Sequence, residues 1–117
     1  MIFLAIESDD NGRVCKKLCR KVVGCRIFSD AYGKLNLNVD QAKGAILIVS
    51  QFTLSADTTK GLRPNLRAAD PEIAEPIYEL FVEHIRAFGI PTQTGVFGAH
   101  MDVTLVNDGP TTFMLKS

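Results

Sequence analysis

The chain contains no tryptophan, only two histidines and an odd number of cysteines, and its formal net charge is zero. The balanced charge excludes a partner selected by bulk charge, so any nucleic-acid contact must come from a local patch. No apolar run approaches the ~20 residues that a membrane-spanning helix needs. The apolar start Met1–Ile6 lacks a basic lead and is followed at once by acidic residues, which predicts a strand and not a signal peptide. We therefore expect a cytoplasmic protein with no membrane partner.

The residues needed for a metal site or for disulfide bonds are also few. Cys15 and Cys19 lie four positions apart on a predicted helix, Cys25 follows, and no Cys-x-x-Cys pair occurs. His84 and His100 lie far apart in the sequence and do not form the second closely spaced ligand pair that a zinc site needs. The pattern predicts free thiols in a reducing compartment, and neither a metal nor a cofactor.

The composition that is present, 46% hydrophobic and 22% charged, is typical of a globular protein. A length of 117 residues predicts a single domain over residues 1–117. Two segments have helical periodicity. The first is predicted to begin at an N-cap offered by Asp9, Asp10 and Asn11 and to end at Gly24, and five basic residues lie mostly opposite its apolar stripe. That basic side is either a solvated face or a nucleic-acid patch; its residues are Arg13, Lys16, Lys17, Arg20 and Lys21.

The second predicted helix begins at Asp70-Pro71-Glu72 and ends before Gly89. Pro76 requires either a later start near Glu75 or a kinked first turn, because proline cannot donate to the helical ladder. His84 lies on the predicted apolar stripe and is either a hydrogen-bonded core histidine or a catalytic one. The predicted stripe comprises Ile73, Ile77, Leu80, Phe81, His84, Ile85 and Phe88.

The central strand is predicted over Ala45–Leu54, which begins apolar and ends polar. Strand alternation would place Ser50, Phe52 and Leu54 on one face, and Gln51 and Thr53 on the other. The polar end is either a site carried by a rigid element or a strand end that meets solvent. Further strands are predicted at Ile2–Ile6, Arg26–Phe28, Leu35–Val39, Met101–Val106 and Thr111–Leu115, and the last two are predicted to form a hairpin-like return.

Three connecting features are also predicted. Gly33 is predicted to be the left-handed residue of a turn. The segment Ser55–Ala69 is predicted to be a basic surface loop, and Thr92–His100 a connection.

A second unusual stretch is Asn107–Thr112, which contains Asp108-Gly109-Pro110. X-Pro peptides adopt the cis form far more readily than other peptides, and a cis proline marks a tight turn. From the residues alone, this stretch is either a rigid wall of carbonyl oxygens or a plain reverse turn.

Taken together, Ser50-Gln51-Phe52-Thr53-Leu54, Gly61-Leu62-Arg63-Pro64 and Asn107-Asp108-Gly109-Pro110 resemble the D-aminoacyl-tRNA deacylase family. The segments Arg26–Asp30, Leu35–Val39 and Thr92–Gly95 are similar to it as well. The resemblance implies an α+β fold with a mixed or antiparallel, barrel-like sheet and two main helices. It also implies a homodimer that hydrolyses the ester between a D-amino acid and the 3′-terminal adenosine of tRNA, with the active site at the dimer interface. Glycyl-tRNA is implied as a second substrate.

Site residues follow from the same resemblance. Gly109 and Pro110, joined by a cis peptide in the family, are implied as the chirality filter that enters the partner's pocket, with Asn107 and Thr111 as supports. Ser50, Gln51, Phe52 and Thr53 are implied to line the pocket for the adenosine and the scissile carbonyl, and Thr53 is expected to position and not to attack. Backbone N–H groups near Phe52 and Thr53 would hold the oxyanion.

The sequence departs from the family pattern in two ways. Family members begin with two further strands, including an arginine that braces the Gly-Pro turn, and they more often carry valine where this chain has Thr111. Without those two strands, the remaining strands close differently, the dimer supplies the lost pairing, or a sheet edge stays open. Two alternatives therefore stay open, namely a non-catalytic RNA-binding or interaction module and a protein that acts on a different small carbonyl compound.

Overall fold

The structure, a computed structural model, describes residues 1–117. Its strands form three separate ladders: a parallel sheet in the order β1-β4-β7 and the antiparallel pairs β2-β3 and β5-β6. Two helices and mixed sheets confirm the predicted α+β class. The elements in chain order are β1 (Ile2–Leu4), α1 (Gly12–Gly24), β2 (Phe28–Ser29), β3 (Leu35–Leu37), β4 (Ile46–Ser50), a 3₁₀ helix (Phe52–Ser55), β5 (Ala56–Asp57), β6 (Asn65–Leu66), α2 (Pro71–Ala87) and β7 (Thr92–Thr94).

The core lies between the parallel sheet and the two helices. Ile48 is fully buried at the centre of β4, opposite Ile2 of β1 and Thr94 of β7. Tyr78 of α2 reaches the sheet, and its hydroxyl donates to the Ile48 carbonyl at 3.1 Å. Burial raises the pKa of Tyr78, which keeps the phenol protonated as that donor. The sheet is therefore tied to α2 by both packing and a buried hydrogen bond.

Helix α1 begins and ends where the sequence predicts. The Asn11 side chain accepts hydrogen bonds from the Arg13 and Val14 amides at 3.0 and 3.2 Å, as an N-cap should. Cys15 and Cys19 are buried, and their thiols point at the backbone carbonyls of Ile77 and Phe81 on α2, at 3.8 and 3.7 Å. These cysteines pack α1 against α2 as small apolar residues do.

Helix α2 corrects the predicted apolar stripe. It begins at Pro71 and runs through Pro76, so a start near Glu75 is wrong. Ile73 and Phe88, both predicted to be apolar-face residues, are about half exposed, at 51% and 46%. The helix contacts both the sheet and α1, and so its buried side is rotated from the stripe that the largest residues suggest. The buried residues are Ala74, Tyr78, Phe81, Val82 and Ile85.

The central strand is shorter than predicted. β4 ends at Ser50 and a 3₁₀ helix begins at Phe52, so the predicted alternation through Leu54 is wrong. The predicted loop Ser55–Ala69 contains the hairpin of β5 and β6, and the predicted connection Thr92–His100 begins with β7. Polar side chains weakened the period-2 signal in these short segments, while backbone pairing decided their structure.

The C-terminal residues 101–117 form no strand, so the strands predicted at Met101–Val106 and Thr111–Leu115 are wrong for the single chain. Val103, Leu105 and Phe113 are 37%, 48% and 53% exposed. The apolar alternation is present, but no neighbouring strand in the chain pairs with it. Neither helix of the structure combines the length and the apolar surface that a membrane crossing needs.

Candidate active site at the carboxyl edge of the sheet

The three strands of the parallel sheet all end at one edge. Ser50 is the last residue of β4 and lies opposite Leu4, the last residue of β1, while β7 ends at Thr94. Ligands of α/β proteins commonly bind beyond the carboxyl ends of parallel strands, where the chain leaves the rigid sheet. The segment Ser50–Thr53 lies at this position, beyond the central strand.

Gln51 carries the chain out of the sheet. Its amide donates to the Leu4 carbonyl at 2.8 Å, which extends the ladder by one residue. Its side-chain Nε2 donates to Thr53 Oγ1 at 2.6 Å. Because Thr53 Oγ1 is the acceptor in this bond, the hydroxyl proton remains available to a group outside the protein. The two side chains form a positioned polar pair at the edge of the sheet.

The 3₁₀ helix presents its first residues to solvent. Phe52 is 57% exposed and Thr53 is exposed as well. As the first two residues of the helix they have no intrahelical acceptor for their amide N–H groups. Ser55 is buried and its hydroxyl donates to the Phe52 carbonyl at 2.8 Å, which fixes the turn from below. Two N–H groups without an intrahelical acceptor and an exposed aromatic ring therefore lie on one anchored turn.

Gly95 closes the same edge, and its role was not recognised from the sequence. Its amide donates to the Ile48 carbonyl at 2.9 Å. A Cβ at this position would lie 2.7 Å from the sulfur of Met101 and 3.7 Å from a methyl of Val49. A side chain at this position would therefore displace the thioether of Met101 from its place beside the sheet. No sequence signal indicated this contact, because β7 was itself predicted as part of a connection.

The Gly-Pro turn is an ordered structure of its own. The Gly109–Pro110 peptide is cis and Gly109 has a φ of 129°. The Thr111 amide donates to Asn107 Oδ1 at 3.3 Å, and Asn107 Nδ2 donates to Thr112 Oγ1 at 3.0 Å. The Asn107 side chain thus ties the start of the turn to Thr111 and Thr112 at its end. Thr112 is a bracing residue that the resemblance did not include.

The structure brings the candidate residues together as two groups. Ser50, Gln51, Phe52 and Thr53 form the group at the sheet edge, and the Gly-Pro turn forms the other, exposed to solvent. None of the hydrogen bonds outside the regular elements joins one group to the other. His84 belongs to neither group: it is half-buried in a groove between the helices and its ring makes no hydrogen bond within the chain, so the predicted hydrogen-bonded core histidine is wrong.

Comparison with known proteins identifies the family. A family model described as D-Tyr-tRNA(Tyr) deacylase matches residues 1–116. The chain is 55% identical to the D-aminoacyl-tRNA deacylase of Proteus mirabilis and 54% identical to that of Cronobacter sakazakii, in each case over 99% of this chain and 81% of the relative.

Two solved structures are similar. The c-Myc DNA Unwinding Element Binding Protein superposes with a TM-score of 0.91 at 36% identity, over 98% of this chain and 79% of that one. A probable eukaryotic D-amino acid tRNA deacylase, at 14% identity, has a TM-score of 0.70 over 84% of this chain and 74% of that one, which shows the fold alone. On the family match and on relatives more than half identical, this chain belongs to the D-Tyr-tRNA(Tyr) deacylase family.

Proposed function

We propose that the protein is a carboxylic ester hydrolase that cleaves D-aminoacyl-tRNA to a free D-amino acid and tRNA. The observation that carries the proposal is the family match over residues 1–116. The arrangement at the sheet edge supports it, because the Ser-Gln-Phe-Thr segment is held outward there on a rigid element. The activity is a chirality proofreading step of translation, carried out in the cytoplasm.

The chemistry asked of the protein is modest. Water attacks the ester carbonyl, the bond from that carbonyl carbon to the ribose oxygen breaks, and the ribose oxygen takes a proton. An aminoacyl ester is already activated, so orientation of the carbonyl and stabilisation of its developing charge supply the rate. The N–H groups of Phe52 and Thr53, which have no intrahelical acceptor, stabilise the oxyanion, and the Thr53 hydroxyl, held by Gln51, orients the substrate. Ser50 and Phe52 contact the terminal adenosine.

Selection of the D form rests on the Gly-Pro turn. In the proposal, Gly109 and Pro110 of one protomer enter the pocket of its partner, grip the α-amino group and leave no space for an L side chain. Exposure of the turn in the single chain supports this placement, since an exposed and internally braced turn is free to insert elsewhere. Glycine has no side chain to reject, so glycyl-tRNA is a second substrate.

The first experiment measures release of amino acid from D-tyrosyl-tRNA and L-tyrosyl-tRNA by the purified protein. We expect hydrolysis of the D ester and sparing of the L ester by roughly 10²-fold or more, the ratio that ~3 kcal/mol of steric exclusion produces. A glycyl-tRNA arm should also be hydrolysed. Equal hydrolysis of both tyrosyl esters would refute the filter, and hydrolysis of neither would refute the enzyme.

A second experiment tests the shared site by complementation. A Gln51→Ala protein damages only the pocket, and a Gly109→Ala protein damages only the turn. Mixing and exchanging the two should restore about a quarter of the wild-type activity, because half of the random dimers are mixed and each has one intact site. No recovery, with exchange of protomers verified by mass, would contradict a site built from both chains.

A second candidate function is nucleic-acid binding without hydrolysis. It is favoured by the name of the structural neighbour, a DNA unwinding element binding protein, and by the five basic residues of α1. Binding of tRNA by a protein that releases no amino acid from either tyrosyl ester would favour this candidate over the enzyme.

A further inference from the structure

Charge is distributed very unevenly over a chain whose formal net charge is zero. Helix α1 contains five basic residues and no acidic one between Gly12 and Gly24. All five basic side chains are exposed. The one salt bridge of the structure joins Arg67 to Asp57, so none of the α1 cations is neutralised by a carboxylate.

The five cations lie along one side of the helix. Their positions follow the spacing i, i+3, i+4, i+7 and i+8 from Arg13 to Lys21, which places them on a single stripe. The buried Cys15 and Cys19 lie on the opposite side, against α2. At 1.5 Å per residue the stripe is about 12 Å long, enough for two to three successive phosphates. We call these five residues the α1 stripe.

A groove continues the stripe toward α2. It encloses about 230 Å³ and is lined by Lys16 and Arg20 from the stripe and by His84 and Phe88 from α2. The ring of Phe88 is 46% exposed and is therefore accessible from solvent. Cations that follow a groove with an exposed aromatic ring are the combination that binds nucleic-acid backbones and stacks bases.

The acidic residues of α2 do not neutralise this groove. Glu75, Glu79 and Glu83 line a separate groove of about 310 Å³ beside β7, together with Arg86. The surface of the protein thus has a basic side on α1 and an acidic side on α2. A polyanion approaching the protein is steered to α1 and repelled from the far side of α2.

We propose that the α1 stripe and its groove bind the phosphodiester backbone of the tRNA body, at a distance from the ester that is hydrolysed. The inference rests on the proposed function, since it assigns to α1 the part of the substrate that the Ser50–Thr53 edge does not hold. Lys16 and Arg20 contact adjacent phosphates, and Phe88 contacts a sugar or base beside them. The stripe increases the local concentration of the substrate and takes no part in the chemistry.

The first test measures binding of an unacylated tRNA transcript as a function of salt. The Lys16→Ala/Arg20→Ala variant removes two phosphate contacts and keeps the helix, since alanine is the best helix former. The slope of log Kd against log salt should fall by about two, and Kd at 0.1 M salt should rise roughly tenfold. The control, Lys34→Ala/Lys43→Gly, also removes two cations but lies outside α1; Lys43 has a φ of 53°, which glycine accommodates.

The second test separates binding of the tRNA body from chemistry at the ester. D-tyrosyl-adenosine carries the ester and no tRNA body. Lys16→Ala/Arg20→Ala should raise KM for D-tyrosyl-tRNA roughly tenfold, with kcat unchanged, and should hydrolyse D-tyrosyl-adenosine at the wild-type rate. The conservative Lys16→Arg/Arg20→Lys variant should retain the wild-type KM, because it keeps both charges.

The outcomes distinguish the two proposals. An unchanged salt slope overturns the tRNA surface, and so does an equal loss on both substrates, which would indicate damage to the site or the fold. An equal rise in Kd for the control pair also overturns it, because any two cations would then serve. If the wild-type protein hydrolyses neither substrate, the proposed function fails, and the tRNA-binding measurement still decides the role of α1.

Discussion

The body of the molecule, residues 1–100, and its C-terminal segment, residues 101–117, follow similar sequence patterns with different results. Ile46 and Ile48 alternate in β4 and are buried between two paired strands. Val103 and Leu105 alternate in the same way, yet lie in no strand and stay 37% and 48% exposed. The difference is the availability of a neighbouring edge, because strand structure is a property of the pair and not of the single segment.

The buried core and the Gly-Pro turn lie in different parts of this protein. Both helices and the parallel sheet share one core of fourteen buried residues, all of them within the body. The C-terminal segment adds no residue to that core, and instead carries the braced Gly109–Pro110 turn. A rigid sheet edge and an exposed, braced turn are the two parts that the proposed site, shared between two protomers, would require.

The largest expected effect comes from the core of the body. Phe81→Ala removes a 1% exposed ring between α1 and α2 and should cost about 3–5 kcal/mol, a large part of the stability of a domain this size. Val106→Ala, at a side chain that is 92% exposed, should cost less than about 0.5 kcal/mol. Urea unfolding followed by circular dichroism measures both. Similar costs for the two variants would show that the C-terminal segment is covered in solution.

The next largest effect tests the C-terminal segment for activity. A Cβ on Gly109 would lie 2.7 Å from Thr111 Oγ1, and the φ of 129° is one that L residues rarely adopt. Gly109→Ala should therefore displace the turn, and its rate on D-tyrosyl-tRNA should fall by about 10², the usual cost of a 1 Å misplacement. Its unfolding midpoint should stay near that of the wild type. Gly98→Ala is the matched control, since its φ of 74° is also positive and lies outside the turn.

The body was largely predictable from the sequence because its signals are local. The run Asp9-Asp10-Asn11 predicts an N-cap, and Asn11 caps α1; Gly33 predicts a left-handed turn residue and has a φ of 73°. The predictions that failed concern features that depend on tertiary contacts. The buried face of α2, for example, is set by its packing against both the sheet and α1. Pairing likewise decided β7, whose polar residues gave no period-2 signal.

The candidate site is predicted only through its motifs. The resemblance implies that Ser50–Thr53 and the Gly-Pro turn belong to one site, which stays a prediction, while periodicity alone extended β4 too far. A 3₁₀ helix after a strand leaves no strong signal, since its residues are those of an ordinary strand end. The proximity of Gly95 to Met101 was equally hidden, because it depends on how the chain leaves β7 and passes over Val49.

A smaller effect is expected at the catalytic edge. Thr53→Ala removes the acceptor of the Gln51 amide and one hydroxyl for the substrate, so kcat should fall roughly tenfold, the value of one hydrogen bond of ~1.4 kcal/mol. Thr53→Ser keeps the hydroxyl and should recover most of the rate. Steady-state kinetics on D-tyrosyl-tRNA measure both. A covalent acyl-enzyme trapped on Thr53, or complete loss of activity in the alanine variant, would contradict a positioning role.

The smallest effect is expected at the β5–β6 hairpin. In extent of strand pairing it is intermediate between the body and the C-terminal segment, because its strands pair but contain only two residues each. Hydrogen bonds from the Thr59 hydroxyl and amide, with the Arg67 guanidinium, lower the pKa of Asp57 below its ordinary value of 3.8. Because the folded pKa is the lower one, this carboxylate stabilises the hairpin above about pH 4, and its contribution is lost as the pH falls through the lowered value.

Asp57→Asn should therefore reduce the hydrogen-exchange protection of the hairpin amides at neutral pH, after correction for intrinsic exchange rates, and the difference from the wild type should vanish in acid. Asp102→Asn is the matched control, since Asp102 is an exposed acid of the C-terminal segment with no hydrogen bond to its side chain. The amides around Asp102 should show little protection in either the wild type or Asp102→Asn. If the hairpin amides lose protection equally in Asp57→Asn and Asp102→Asn at neutral pH, then net charge, and not the Asp57 contacts, stabilises the hairpin. If the hairpin depends on one carboxylate and the C-terminal segment depends on none, then strand pairing, and not composition, distinguishes the two regions.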